Sequence, residues 1–589
     1  MIFSNKIEDI LSDIKKWDFV SGQAINIAEF LCGFEKNLSR DEKQIFAAVA
    51  VLVSEWTSSG SICLTKNVIE KFKSNEALSK IDPDWGKIKN VLSKSSCCTQ
   101  DPEHDPKPLV LSNDKIYFYK YWLYENSLAE KVMDLSRGCG KYEQRADEIE
   151  VVFAKLFDEK STEQQKAAEN VIRHRFSVIT GGPGTGKTTT VAKILAGILS
   201  VYNDERVILA APTGKAAARM TEALKHSVND ENNNVKIDFK DVPENICSKI
   251  LSLEGQTTHR ILGKKFGKPG KNKENPIYAD LIIVDEASMI DINMFSELLD
   301  ALSEKTSLIL LGDKDQLASI DVGNVLADIC TNRALLPDGT VSELKTSHRF
   351  KHPGIGKLAK EVNEFDKNTT TENIIKICKE DPDLGFTTKT LKDIVTTATE
   401  KYGFLSETEL TPEEILTNLN NFKILCPSKE DSLGVEKLNN AIEEELEKDN
   451  SGIYYNGRPI MITKNDYTSN LVNGDCGVIL KRNGRTKAYF KDNSLSPFEI
   501  SELPAFETVY AMTIHKSQGS EYNSVLIVLP EKEMPILTKE LLYTAITRAS
   551  DKVEISAEES ILEYTLKNSA ARNSGFEDAL KKLNQTHEQ

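Results

Sequence analysis

The glycine-rich stretch from Gly181 to Thr188 constrains the fold of this chain more than any other segment. It matches G-x-x-x-x-G-K-[ST], with a β-prone run at 176–179 before it and a helix-prone run from Val191 after it. Glycines let backbone N–H groups approach a phosphate without a Cβ clash, and a helix N-terminus adds partial positive charge. Because strand, loop and helix follow in the required order, the stretch predicts a nucleoside triphosphate site rather than a chance turn.

The ligands predicted for this loop are a nucleoside triphosphate and Mg²⁺. The residues predicted to contact the nucleotide are Gly181, Gly182, Pro183, Gly184, Thr185, Gly186, Lys187, Thr188 and Thr189. Among them, the Lys187 ammonium would reach the β- and γ-phosphates, and the Thr188 hydroxyl would be a ligand of Mg²⁺.

Composition sets broad limits on the function. At ~150 residues per domain, 589 residues predict three or four domains, and the 40% hydrophobic and 28% charged fractions are ordinary for a soluble globular protein. The net charge of −16 gives no overall basic field, so any contact with nucleic acid must be local. The sequence has no uncharged apolar run of ~18 residues and no signal sequence at its start, which predicts a cytoplasmic protein without a membrane partner. The ten cysteines include no C-x-x-C pair and are interpreted as reduced thiols.

Strand-like and helix-like runs alternate from 176 to about 340, a pattern typical of a parallel α/β sheet. Three apolar runs each end in a polar cluster; the runs are 207–211, 281–284 and 307–311, and the clusters are 212–215, 285–288 and 312–316. Since ligands of parallel sheets gather at the carboxyl ends of the strands, the pattern predicts one functional edge.

An acidic pair follows the second of these runs. Asp285 would hold Mg²⁺ directly or through water, and Glu286 would orient and deprotonate the attacking water. The alternative is a polar turn at the end of a strand. Gln316, in the third cluster, lies where a γ-phosphate or water sensor would be useful.

A second α/β unit without a phosphate loop is predicted after about residue 420, interrupted by short strands and turns at about 450–505. An arginine from such a unit can contact the γ-phosphate across a cleft and accelerate hydrolysis ~10³–10⁵-fold. Arg349 and Arg548 are the candidates for this role. The alternative for either is a surface salt bridge.

Several motifs, in order along the chain, resemble those of superfamily 1 helicases. They are Gln165, 181–188, 211–217, 285–289, 312–317, 347–350, 513–521 and 543–549. Further segments are similar to variants of the RecD family, the alpha subunits of exodeoxyribonuclease V (RecBCD); these are 211–219, 258–260, 465–467 and 473–475. The resemblance spans about 110 to 576, and residues 1–110 match more loosely.

The predicted fold class is α/β, with two RecA-like, P-loop-type parallel-sheet domains. The predicted domains are a helical N-terminal domain at 1–110 that docks a partner, a connecting region at 111–160, the first RecA-like domain at 161–342, the second at 343–450 and 506–589, and an SH3-like β-barrel insert at 451–505.

The resemblance also implies roles for single residues. Gln165 would contact the adenine, and Lys187, Thr188, Asp285, Glu286, Gln316, Arg349 and Arg548 would form the ATP site. The single-strand track would be lined by Pro212, Thr213, Lys215, Thr258, His259, Thr513, His515 and Lys516.

The family further implies ATP-dependent 5′-to-3′ movement on DNA within a heterotrimer with RecB-like and RecC-like subunits. That complex would unwind single- and double-stranded DNA ends in double-strand-break repair and recombination. The resemblance implies that the nuclease lies in the RecB-like partner, which fits the present chain because only about 40 residues follow Arg548, too few for a nuclease domain.

Three other functions fit the sequence less well. A stand-alone RecD-like DNA helicase is the main alternative, although the Gly-rich hairpin signals of its longer N-terminal region are missing from residues 1–150. A conjugative relaxase fused to a helicase needs clustered histidines, and His104 is the only histidine before His174. The third, a P-loop scaffold that binds ATP without turnover, is disfavoured because the catalytic set is intact: Lys187, Asp285, Glu286, Arg349 and Arg548.

Overall fold

The computed structural model describes most of the chain. The described residues are 14, 20–71, 84–229, 235–264, 270–347, 353–366, 369–407, 409–446, 452–466, 469, 471–491, 497–570 and 572–587. Their strands form four sheets, of which the second and third along the chain are wholly parallel. Within these ranges, no helix combines the length and apolar composition needed to cross a bilayer.

The N-terminal unit packs helices against a small mixed sheet of order β1-β4-β3-β2. Its elements are α1 (Gly22–Phe34), α2 (Arg40–Ser58), β1 (Leu64–Thr65), α3 (Lys66–Lys71), α4 (Trp85–Lys94), β2 (Cys98–Thr99), β3 (Leu109–Ser112) and β4 (Lys115–Phe118). A reciprocal capping box between Ser39 and Glu42 starts α2, whose buried run includes Phe46. The predicted helical character is confirmed, and the sheet is an addition to it.

The first parallel sheet has the order β10-β5-β9-β8-β6-β7. Its elements, with the helices that lead into it, are α5 (Tyr119–Arg137), α6 (Ala146–Leu156), α7 (Thr162–Arg173), β5 (Phe176–Gly181), α8 (Lys187–Val201), β6 (Val207–Ala211), α9 (Gly214–Val228), α10 (Glu244–Leu251), β7 (Gly255–Thr257), α11 (Thr258–Ile261), β8 (Leu281–Val284), α12 (Ile292–Asp300), β9 (Ser307–Gly312), α13 (Val325–Thr331) and β10 (Val341–Leu344).

Burial on both faces explains the continuous apolar runs of this sheet. In β8, Ile282 and Val284 pack into one apolar cluster, whereas Leu281 and Ile283 pack into another. Successive side chains of a strand point to opposite faces, so helices must cover both. The predicted strands at 207–211, 281–284 and 307–311 are confirmed.

The second parallel sheet has the order β11-β20-β19-β12-β18. Its elements are α14 (Pro353–Asn363), α15 (Thr371–Glu380), β11 (Leu384–Thr387), α16 (Leu391–Tyr402), α17 (Pro412–Asn418), β12 (Phe422–Cys426) and α18 (Val435–Glu445). After an insert come β18 (Ala511–Thr513), β19 (Tyr522–Val528), α19 (Lys539–Ile546), β20 (Ala549–Ser556) and α20 (Glu559–Lys567).

The insert is an antiparallel sheet of order β16-β15-β14-β13-β17. Its strands are β13 (Arg458–Ile462), β14 (Cys476–Arg482), β15 (Arg485–Phe490), β16 (Phe498–Glu499) and β17 (Phe506–Thr508). The sheet therefore continues past the predicted boundary at 505, because β17 pairs with β13. Closure of the sheet into a barrel stays a prediction.

The C-terminal tail packs on the first parallel-sheet unit. The sequence predicts instead that residues 506–589 belong to the second unit. Helix α21 (Phe576–His587) packs along α5, and Phe576 and Leu580 are buried in the same apolar cluster as Phe176 of β5. The apolar residues of α21 recur at helical spacing and need a partner surface, which α5 supplies.

A buried carboxylate anchors this tail. Oε1 of Glu125 accepts hydrogen bonds from the Ser574 hydroxyl and the Gly575 N–H, both at 2.8 Å. Nearby, the Arg572 guanidinium donates to the carbonyls of Asp321 and Gly323. Burial raises the pKa of Glu125 to about 7, although both hydrogen bonds oppose the rise.

Glu125→Gln tests the cost of this buried carboxylate. The pKa of Glu125 rises from 4.5 in the unfolded chain to about 7 in the folded protein. The protonated carboxyl therefore stabilises the fold below pH 4.5, and this stabilisation is lost as the pH rises toward 7. The variant cannot titrate, so its thermal unfolding temperature should fall less than that of the wild type across this window. Glu563→Gln, at a side chain that is 47% exposed, serves as control, and an equal fall in Glu125→Gln and wild type would contradict the prediction.

Candidate active site

The two parallel-sheet units face each other across a cavity of about 610 Å³. The first unit contributes the glycine loop after β5 and the polar clusters after β8 and β9. The second contributes Gly519, Glu521 and Arg548. The predicted functional edge therefore lies in a cleft between two domains.

Backbone geometry shapes the glycine loop. Gly184 and Gly186 have φ angles of 77° and 81°, in the left-handed region that favours glycine. Gly186 is also the N-cap of α8, so the free N–H groups of this helix begin at the cavity. Lys187 Nζ donates to the carbonyls of Gly181 at 2.6 Å and Gly182 at 3.1 Å, which holds its charge over the loop.

The acidic pair after β8 is partly buried, and its second residue has a strained backbone. Glu286 has φ 50°, an uncommon left-handed conformation for a residue with a side chain, and its N–H donates to Asp285 Oδ1 at 2.8 Å. Burial raises the pKa of Asp285, and the adjacent Glu286 carboxylate adds to the rise. A divalent cation would offset this buried negative charge. With the Thr188 hydroxyl lining the same cavity, the oxygen donors fit Mg²⁺.

The cluster after β9 joins the two units. Tyr543 of α19 donates to Asp313 Oδ2 at 2.9 Å, and the Leu317 N–H donates to the Thr544 hydroxyl at 3.0 Å. Gln316 is 5% exposed and lines the cavity, and its Oε1 has no hydrogen-bond partner among the described residues. A buried amide oxygen left unpaired at the cavity fits a group that contacts a bound water.

Of the two candidate arginines, the structure brings Arg548 to the cleft. Its side chain is 2% exposed, donates from Nε to the Thr544 carbonyl at 3.1 Å and lines the cavity opposite the glycine loop. Burial lowers its pKa, which the charge of Glu286 opposes. Arg349 lies outside the described residues.

The adenine contact predicted for Gln165 stays a prediction. Its Nε2 donates to Glu169 along α7 at 3.0 Å. The adjacent Gln164 lines the cavity and donates to the Thr185 carbonyl at 3.1 Å, so it supports the glycine loop.

Comparisons with known proteins identify the family of this chain. Models of an AAA domain and of a UvrD-like helicase C-terminal domain match residues 164–322 and 508–555. RecBCD enzyme subunit RecD of Mycolicibacterium smegmatis is 34% identical over 496 residues, which cover 81% of this chain and 84% of that protein. The chain belongs to the RecD family. It is therefore an ATP-dependent helicase of superfamily 1.

Other relatives show the same relationship. RecBCD enzyme subunit RecD of Mycobacterium tuberculosis is 32% identical over 94% of this chain and 93% of that protein. The ATP-dependent RecD2 DNA helicase of Deinococcus radiodurans is 30% identical over 67% of this chain and 48% of that protein.

In this RecD-family chain, the predicted track residues of the first unit follow β7, the edge strand of its sheet, and β6, the strand beside it. Thr213 caps α9 by accepting the Ala216 N–H at 3.2 Å, with Pro212 beside it. His259 is exposed, whereas Thr258 is fully buried and its hydroxyl has no partner in the described part of the chain. The track role of these residues stays a prediction.

The track residues of the second unit follow β18, the edge strand of its sheet. Thr513 accepts the Lys516 N–H at 3.3 Å, and Lys516 Nζ pairs with Glu507 at 2.5 Å. His515 is partly buried, which lowers the pKa of its imidazole. Both sets of predicted residues thus lie at the carboxyl ends of strands that are at, or next to, an edge of their sheet.

Sequence reasoning missed several residues of the cleft. Gln164, Arg219, Glu521 and Tyr543 contact or line the cavity without having been assigned roles. Arg219 and Glu521 stand inside recognised motifs, which was an available signal. The pairing of Tyr543 with Asp313 joins residues 230 positions apart and has no local signature.

Arg548→Ala tests the arginine across the cleft. Loss of a guanidinium that meets the γ-phosphate should lower kcat for ATP hydrolysis at least ~100-fold with KM for ATP within ~3-fold. Steady-state kinetics measure this, with the exposed Arg145→Ala as control. Loss of nucleotide binding together with turnover would instead indicate a structural role.

Proposed function

We propose that this chain is an ATP-dependent 5′-to-3′ single-strand DNA translocase and helicase. It would act as the motor subunit of a RecBCD-type helicase–nuclease. The observation that carries the proposal is the shared cavity, in which the glycine loop of one unit meets Arg548 of the other. ATP binding and hydrolysis at such a site change the fit between the units.

The residues around the cavity have distinct roles in hydrolysis. The α8 N-terminus and Lys187 would bind the phosphates, while Thr188 and Asp285 would hold Mg²⁺. The metal, when bound, would supply positive charge that neutralises the negative charge of the phosphates. Glu286, directed into the cavity by its left-handed backbone, would accept the proton of the attacking water, and Gln316 would orient that water.

Movement along DNA follows from where the track residues sit. One set follows β6 and β7 of the first sheet, and the other follows β18 of the second. Closing the cleft changes the separation of these two sets of residues. Each hydrolysis cycle would therefore shift the DNA contacts of one unit relative to those of the other. The direction of movement is taken from the family.

The name shared by the relatives supports the proposal that this chain acts with partner subunits. Proteins named RecBCD enzyme subunit RecD match 81–94% of this chain. RecB-like and RecC-like subunits would therefore accompany it, with residues 1–110 as the docking domain and nuclease activity in the RecB-like subunit. The complex would process DNA ends in double-strand-break repair and recombination.

A stand-alone DNA helicase is the second candidate, favoured by the similarity to the RecD2 helicase. Purification of the untagged chain from its host separates the two. Recovery with two large subunits supports the RecBCD-type complex, and recovery alone as an active helicase supports the second candidate.

Glu286→Gln tests the chemical step. The amide preserves shape but cannot accept a proton, so kcat should fall ~10²–10⁴-fold while binding of a fluorescent ATP analogue stays near wild type. Lys187→Gln is the contrasting variant and should weaken nucleotide binding itself. A loss of turnover of only twofold in Glu286→Gln would show that Glu286 is not the general base.

The direction of movement has its own test. A single strand carrying streptavidin at its 5′ or 3′ end is incubated with the protein and ATP. Movement from 5′ to 3′ should displace streptavidin only from the 3′ end, and Lys187→Gln should displace neither. Preferential displacement from the 5′ end would reverse the proposed polarity.

A further inference from the structure

Helix α9 connects the predicted DNA surface to the nucleotide cavity. Its N-cap, Thr213, belongs to the predicted track, while Arg219 and Met220 farther along line the cavity. Three charged residues, Lys215, Arg219 and Glu222, are spaced four and three apart. Residues at this spacing share one face of a helix.

Each of these three side chains contacts the second unit or its insert. Lys215 Nζ donates to the carbonyl of Gly474 at 3.3 Å. Glu222 pairs with Lys491, the residue after β15, at 2.7 Å. The charged face of α9 therefore spans from the loop before β14 to the end of β15.

Arg219, in the middle of this face, makes the central contact. Its Nη1 donates to the Gly519 carbonyl, and its Nη2 lies 3.7 Å from Glu521 Oε2. Both partners belong to the second unit and line the cavity beside Arg548. Arg219 thus crosses the cleft in the direction opposite to Arg548.

Close backbone packing supports the same interface. A Cβ at Gly214 would come within 2.8 Å of the Val472 side chain, and one at Gly519 would lie 3.8 Å from the Ala216 Cβ. The start of α9 therefore fits directly against the insert and the 519 loop. A small rotation of the second unit would break all of these contacts together.

We propose that Arg219 is a positioning residue that couples closure of the nucleotide cleft to the DNA surface. It holds the 519–521 loop of the second unit on α9, and α9 carries Thr213 and Lys215 at its start. The proposal rests on the proposed function for its link to DNA, but the effect on cleft closure is independent of DNA.

The experiment measures cleft closure directly. Fluorophores are placed on the exposed positions 254 and 485 through Glu254→Cys and Arg485→Cys, with the exposed Cys139 removed by Cys139→Ser. Energy transfer between them is recorded with and without a non-hydrolysable ATP analogue and Mg²⁺, in the absence of DNA. The wild-type protein should show a nucleotide-dependent change in transfer.

Arg219→Ala should reduce this change at least ~3-fold, Arg219→Lys should restore part of it, and the exposed Arg145→Ala should leave it intact. The Arg219 side chain is 38% exposed, so thermal unfolding temperatures should stay close to wild type. An undiminished change in Arg219→Ala, or no change in the wild type, would overturn the proposal.

A kinetic comparison separates this proposal from the proposed function. Arg219→Ala should lower DNA-stimulated kcat ~10-fold and leave KM for ATP within ~3-fold, and the analogue should no longer alter affinity for single-stranded DNA. If DNA did not stimulate ATP hydrolysis by the wild-type protein, the proposed function would be refuted. The energy-transfer measurement would still decide the role of Arg219. Unaltered coupling in Arg219→Ala would refute the positioning role alone.

Discussion

The opposition of two parallel sheets across one cleft is the constraint on which the rest of this structure depends. Every strand of a parallel sheet delivers its carboxyl end to the same edge, so polar residues from distant segments converge there. Here the two edges face each other, and a cavity of about 610 Å³ lies between them. A ligand in this cavity contacts both units and can change their relative position.

Buried charge makes the cleft responsive to a ligand. Burial raises the pKa of Asp285 and raises that of Asp313 to about 6, so the closed cleft carries a cost for ionised carboxylates. Hydrogen bonding from Tyr543 offsets part of this cost at Asp313. Lys187 and Arg548 place positive charge at the same cavity, which favours an anionic ligand bound with a cation.

Contacts between distant segments of the chain fix the position of the two units relative to each other. The tail after Arg572 returns to the first sheet, and α9 contacts the second unit through Lys215, Arg219 and Glu222. A helix that contacts both the cavity and the predicted DNA surface is suited to transmit a change of a few ångströms, because a packed helix moves as one body. The glycine loop alone would bind nucleotide without this consequence.

Local pattern was enough to predict much of the protein. The strand–loop–helix order around Gly181–Thr188, the apolar runs of the first sheet and the acidic pair Asp285–Glu286 are short-range features. The sequence by itself therefore determined the α/β class and predicted the candidate nucleotide site. Tertiary structure alone decided that α21 packs on α5, that Thr258 is buried and that Arg219 reaches Gly519. These contacts join residues far apart in the chain, and only the packing of complementary surfaces brings them together.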